Sequence, residues 1–355
     1  MQNILIVKPS ALGDVIQATC VLAVLKNAFP AVRISWFVFE HNAEIVRDHP
    51  LVDSVLAVRR RGMGPAVLPG LIRSLRAPGF DAVIDLQGLL RSAVLSRLTG
   101  CARRIGFADG REQSSLFYTE KYDLPRDSMH AVDRYLALCQ RLGAPIPDEP
   151  AFPIPVRDAH RSHISELLGD FARRGPLVAV NPTAKWQSKR WPAASFAAVA
   201  DTLVHRCDAR IVLVGGVSET STVSEVATHM VQESLDLSGR ISILELAAIL
   251  ERADLFLGND SGPMHLASAT RTPTVAVFGP TDPLRTGPYN PLARVVRVHL
   301  DCMPCFRRIC ERPRCMEDLT PQTVAGVCEE VLSMGRKKPE EQQGFSAGAA
   351  TGSGR

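Results

Sequence analysis

No run of about 18 apolar residues occurs in this 355-residue sequence, so no transmembrane helix is expected. The first residues lack a basic segment followed by a long apolar stretch and a small-residue cleavage site. "MQNILIV" reads instead as a first strand, so no signal peptide and a cytoplasmic protein are expected. No D-x-D occurs anywhere, which argues against a site that holds a divalent metal through paired aspartates. G-x-G-x-x-G and the Walker A pattern are also absent, which disfavours a dinucleotide or ATPase phosphate loop. Excess charge is small: a net +4 is too little to argue for nucleic acid as a partner. No repeat recurs at periods of about 20–50 residues. The nine cysteines are an odd number in a long chain, which suits a reducing compartment better than a disulfide scaffold.

What is present is an ordinary globular composition, 46% hydrophobic and 22% charged, on a chain long enough for two domains. Strand-like and helix-like segments alternate, as in parallel βαβ units. "NILIV" leads into a helix over 14–28, "RISWFVF" precedes the short helix "AEIVRDHP", and "FDAVIDLQ" precedes "GLLRSAVLSRLTG". Prolines at 145, 147, 150, 153 and 155 then exclude a helix or a central strand and mark a linker. The alternation restarts with "PLVAVNP", "ARIVLVGG", "LFLGN" and "PTVAVFG". The expected organisation is an α/β domain over 1–150, a second over 151–320, a last helix over 321–336 and a disordered tail over 337–355. Two open α/β sheets in tandem turn the carboxyl ends of their strands towards one cleft, where ligands bind.

The chemistry-bearing motifs follow strands. In "KPSALGDV", Gly13 permits a tight turn and Asp14 opens the helix. Asp14 reads two ways: as a helix cap, or as a general base at a helix end whose dipole favours negative charge. "NPTAKWQSKRWP" places Thr183, Lys185 and Lys189 on a loop suited to phosphate, or simply on a solvated basic loop. In "GNDSGPMHLASA", Asp260, Ser261 and Pro263 are helix-start signals, and the N–H groups of Ser261 and Gly262 with His265 one turn on suit an anion. "VGGVSETS" offers Glu219 either to ribose hydroxyls or to its own turn. Arginines crowd the first half, at 59, 60, 61, 73, 76 and 111, and suit an anionic ligand or a plain basic surface. Cys302, Cys305, Cys310 and Cys315 have spacings seen in zinc sites, and a reduced, thiol-rich turn is the other reading. His41, His49 and His299 show no ligand spacing and are taken as structural.

Together "ILIVKPSALGDVIQATCVL", "FDAVIDLQGLLRSA", "SLFY…HAVDRY", "NPTAKWQSKRWP" and "GNDSGPMHLASA…TPTVAVFGPTDP" resemble the bacterial ADP-heptose:lipopolysaccharide heptosyltransferases, glycosyltransferase family 9, nearest to the heptosyltransferase I branch. The resemblance runs from Met1 to about Ser333. It implies two Rossmann-like domains facing a cleft, the GT-B fold. The first would take the lipopolysaccharide acceptor, the second the sugar nucleotide, and the last helix would cross back to the first domain. It further implies inverting transfer of heptose from ADP-heptose to a lipid A–Kdo type acceptor at the inner face of the cytoplasmic membrane, with no metal and no cofactor. Carried over by motif, Asp14 would be the base and Lys189 would hold the diphosphate. Thr183, Lys185, Glu219, Asp260, Ser261, Gly262 and His265 would bind the donor. Ser10, Gly13, Arg59, Arg60, Arg61, Gln87, Arg111 and Arg134 would meet the acceptor. Three other readings stay open: a sugar-nucleotide epimerase on the same fold, a non-catalytic binder of anionic glycolipid, and a transferase of another sugar.

Overall fold

The computed structural model describes residues 1–60 and 68–335. Arg61 and the tail 337–355 therefore lie outside the described residues. Two six-stranded sheets organise the chain. The first holds β1 (Asn3–Val7), β2 (Arg33–Phe39), β3 (Ser54–Val58), β4 (Ala82–Asp85), β5 (Arg104–Phe107) and β6 (Glu120–Tyr122), in the order β3-β2-β1-β4-β5-β6. The second holds β7 (Leu177–Asn181), β8 (Arg210–Leu213), β9 (Ser234–Asp236), β10 (Leu255–Asn259), β11 (Thr274–Val277) and β12 (Ala293–Val296), in the order β12-β11-β10-β7-β8-β9. All neighbouring strands are parallel. Each sheet thus grows in both directions from its first strand, and the two share one connectivity. The order reverses between β1 and β4 and again between β7 and β10, where a doubly wound sheet opens a crevice.

The central strands are covered on both faces, which is why they read as unbroken apolar runs. Ile4 to Val7, Val178 to Val180 and Leu255 to Leu257 are all buried. The expected helix 14–28 is two pieces, Leu12–Ala18 and Cys20–Ala28. They meet at buried Thr19, whose hydroxyl donates to the Ile16 carbonyl at 2.8 Å, a local bond that bends helices. The proline-rich stretch contains no helix or strand.

Helix Pro321–Gly335 does not cross to the first lobe over the described residues. It packs on helix Ala193–Cys207 and on β10, β11 and β12. Its apolar face, Val324, Ala325, Cys328, Val331 and Leu332, belongs to the core of the second sheet, and that burial decides its place.

The lobes join where helix Leu12–Ala18 meets helix Gly262–Ala269. One hydrophobic cluster runs through that contact and includes Val15 and Ile16 with Met264 and Leu266.

Candidate functional site

All four loops at the two crevices carry the motifs singled out from sequence. The chain leaves β1 at Lys8 and turns into helix Leu12–Ala18. Asp14 is the third residue of that helix rather than its cap. Ala11 holds the cap position and has no side-chain acceptor, so Asp14 closes the end from inside: Oδ2 accepts the Ala11 N–H at 2.9 Å. The same carboxylate lines a cavity of about 230 Å³.

Lys8 was overlooked within its own motif. It is buried, and its Nζ donates to the Leu86 carbonyl at 3.0 Å and lies 5.1 Å from the Tyr135 ring centroid. Burial works against its charge, yet Tyr135, Asp14 and Asp85 outweigh it and hold Lys8 above its ordinary value.

The loop after β4 is shaped by Asp85, which is fully buried. Its carboxylate accepts from Gln87 N at 2.8 Å, Gly88 N at 3.1 Å and Tyr118 Oη at 2.8 Å. Burial pushes the Asp85 carboxyl up in pKa. Gly88 takes a φ of +65, the left-handed region that suits glycine. Gln87 Oε1 in turn accepts the Ser10 N–H at 3.3 Å, so this loop is tied to the one after β1.

In the second lobe the loops after β7 and β10 are laced by two buried asparagines. Asn181 donates to the Val214 carbonyl at 2.9 Å and accepts from Thr183 Oγ1 at 3.1 Å. Asn259 donates to the Pro182 carbonyl at 2.8 Å and accepts the Trp191 N–H at 3.1 Å. Asp260 Oδ2 then receives both Lys189 Nζ and Thr281 Oγ1 at 2.5 Å. Lys189 also sits 4.6 Å from the Trp186 ring centroid. A cation is thereby fixed beside the start of helix Gly262–Ala269, a kind of terminus that suits an anion.

His265 lies where the lobes touch. A Cβ on Gly13 would come 2.2 Å from His265 Cδ2, and one on Gly262 would come 2.9 Å from Leu12 Cδ2. Gly13 is buried against that imidazole and does not line the cavity; it lets the two helices meet. Burial pushes His265 down to about 4, against the pull of Asp260 and Asp14, and its Nδ1 has no hydrogen-bond partner among the described residues.

The remaining expected residues fall into three groups. Gln87, Arg111 and Arg134 line the cavity with Asp14. Arg59 and Arg60 are exposed and do not line it. Arg60 and Lys185, from opposite lobes, instead flank His41, whose pKa is lowered by burial and by those two cations. Glu219 stands near Thr183 across Gly215, but its Oε2 accepts the Gly216 N–H at 2.9 Å, the capping alternative. Sequence reading also missed Arg126 and Arg285, which line the cavity from the two lobes.

Cys302, Cys305, Cys310 and Cys315 are free thiols. Cys315 is buried beside Gly279, and its thiol is pushed up to about 11 by burial and then by Cys305, Cys302 and Cys310. No group of three or more His, Cys, Asp or Glu is arranged to hold a metal among the described residues. The loop carrying them props the loop that holds Lys189: Ser188 Oγ donates to the Arg307 carbonyl at 2.6 Å, and the Arg308 guanidinium lies 5.4 Å from the Trp186 ring centroid.

Residues 70–315 match the model of glycosyltransferase family 9 (heptosyltransferase). The chain is 30% identical to lipopolysaccharide heptosyltransferase 1 of Pseudomonas aeruginosa, over 93% of this chain and 98% of that protein. Among solved structures it is similar to a family 9 glycosyl transferase from Veillonella parvula, with a TM-score of 0.81 and 26% identity over 94% of this chain and 97% of that one. It is also similar to E. coli heptosyltransferase WaaC with ADP, with a TM-score of 0.73 and 26% identity over 93% and 99% of the two chains.

Proposed function

The chain belongs to glycosyltransferase family 9, the heptosyltransferases, and from that premise we propose that it moves heptose from ADP-heptose to the inner core, Kdo or heptose, of lipopolysaccharide. It is a glycosyltransferase of two Rossmann-like lobes in the GT-B arrangement. The observation that carries the reading is the meeting of two helix starts across the cleft. Gly13 rests on His265, and that imidazole feels both Asp14 of the first lobe and the Lys189–Asp260 pair of the second.

Chemistry follows from that placement. An acceptor hydroxyl in the cavity would give its proton to Asp14 as its oxygen attacks the anomeric carbon from the face opposite ADP, inverting that centre. Asp14 Oδ2 is held by Ala11, which leaves Oδ1 for the hydroxyl. Negative charge then grows on the departing diphosphate. Lys189 and the N–H groups of Ser261 and Gly262 would receive it, and fixed donors of this kind cost no reorganisation during reaction. The diphosphate would take over the lysine charge that Asp260 now holds. His265, neutral at pH 7, adds no competing positive charge. Closed lobes exclude water that would otherwise hydrolyse the donor.

No described helix is long and apolar enough to cross a membrane. The lipid-linked acceptor is what would bring the protein to the inner face of the cytoplasmic membrane. An epimerase needs no acceptor and leaves the arginine-lined cavity beside Asp14 without a role. The test supplies purified protein with ADP-heptose and a Kdo–lipid A acceptor. ADP release that depends on the acceptor, with a heptosylated product, is expected. ADP-heptose converted to an isomer without acceptor, or acceptor bound with no ADP released, overturns the reading.

A further inference from the structure

The cavity beside Asp14 receives Arg111, Arg126 and Arg134 from the first lobe and Arg285 from the second. These arginines are not equivalent. Arg134 is committed to the fold: Nη2 donates to Asp109 at 2.6 Å, Nε donates to the Leu124 carbonyl at 2.8 Å, and the guanidinium lies 4.2 Å from the Phe107 ring centroid. Arg126 and Arg285 each carry a buried Nε with no hydrogen-bond partner among the described residues. They share one charge partner, Asp127, whose Oδ1 is 3.3 Å from Arg285 Nη1 and 3.9 Å from Arg126 Nε. Asp127 is 82% exposed, so solvent screens this pair and it holds neither arginine strongly. Arg285 is nonetheless kept in place, 5.0 Å from the Phe306 ring centroid. It also belongs to a segment docked on the first lobe, where Tyr289 Oη donates to Asp133 at 2.7 Å and a His130 ring nitrogen lies 3.1 Å from the Gly287 carbonyl.

Two guanidinium groups from opposite lobes, each with an unmatched buried N–H, on the wall of a cavity that also holds the candidate base, describe a site for an anion. We propose that Arg126 and Arg285 form an anion subsite that holds a carboxylate or phosphate group of the acceptor sugar while its hydroxyl faces Asp14. The proposal rests on the acceptor reading of this cavity given above. The planar fork of arginine suits either oxyanion, and the bound group displaces Asp127.

The experiment uses the full chain and the variants Arg126→Gln, Arg285→Gln and Asp127→Asn. Each arginine variant is expected to raise the acceptor KM by about 10-fold or more while the KM for ADP-heptose stays within about twofold. Asp127→Asn is expected to lower the acceptor KM, because it removes a competitor for the same guanidinium groups. A purely structural Asp127–Arg285 latch would do the opposite. Acceptor with its Kdo carboxylate methyl-esterified, and acceptor stripped of phosphate, identify which anion is read: the form that no longer responds to Arg285→Gln has lost it. Direct titration with free Kdo and with inorganic phosphate reports on the subsite without turnover. If the wild-type chain transfers no heptose yet binds either probe through Arg285, the functional reading falls and the subsite stands. If transfer proceeds and both arginine variants keep the wild-type acceptor KM, or lose donor and acceptor affinity alike, the subsite falls and the function stands.

Discussion

At the scale of single residues, the site is a matter of which groups keep their charge and who holds them. Asp14 serves as both helix lock and cavity wall, so replacing it tests two things at once. Asp14→Asn keeps the shape and an acceptor for the Ala11 N–H but cannot take a proton. Loss of general-base catalysis is typically about 100- to 10,000-fold in rate, so kcat should fall by that order while the KM for ADP-heptose and the thermal midpoint barely move. Near-normal turnover would remove Asp14 from the base role. Lys189→Ala removes the charge that meets the leaving diphosphate and also strands Asp260, which is 5% exposed. A kcat loss of about 100-fold or more together with a lower thermal midpoint is the expected pair of outcomes. Motif residues of this kind were visible in sequence because each sits on a short loop after an apolar strand. Lys8, Asn181 and Asn259 were not singled out, since a lysine or amide at a strand end looks like ordinary punctuation until the opposing strand is in register.

At the scale of elements, the two helix starts that meet across the cleft depend on glycine at the contact. Gly13→Ala would drive a methyl into the His265 ring. Overpacking of this sort costs about 1–3 kcal/mol, and here it falls on the contact between lobes rather than within either core. The expected result is a drop in kcat/KM of about 10-fold or more with little change in the unfolding of either lobe. Gly262→Ala meets the Leu12 side chain less closely, Cδ2 at 2.9 Å and Cβ and Cγ at 3.3 Å, and should be milder. Kinetics beside differential scanning calorimetry would separate the two. Strands buried on both faces, such as β1 and β10, announced themselves as apolar runs. The short outer strands did not: β6 reads "EKY" and β9 reads "SLD", and three residues carry no period. The last helix shows the same limit. Its apolar face was legible, but the lobe that would cover it was not.

At the scale of the whole molecule, the two lobes meet over a histidine that stays neutral because it is buried. His265 titrates at about 4 here and near 6.5 when unfolded. Between those values the unfolded chain takes up a proton that the native site refuses, so stability is full above about 6.5 and falls as pH drops towards 4. The loss approaches about 3 kcal/mol at the acid end. Asp14, Asp260, His130 and Lys189 act on the same imidazole, so they set where in this window the change falls. The wild-type chain should therefore lose more thermal stability between pH 7 and pH 5 than His265→Gln does, and equal losses would assign the acid sensitivity elsewhere. The sequence by itself determined two α/β units, the four loops that carry the chemistry and the family to which they belong, because apolar period and turn residues are local properties. Only the tertiary structure decided that Asp14 locks its helix from within and that Gly13 serves the lobe contact. It likewise decided that Arg126 and Arg285 share a cavity. The last two relations join residues a whole domain apart, and they exist only once both sheets have closed on their cores and on each other.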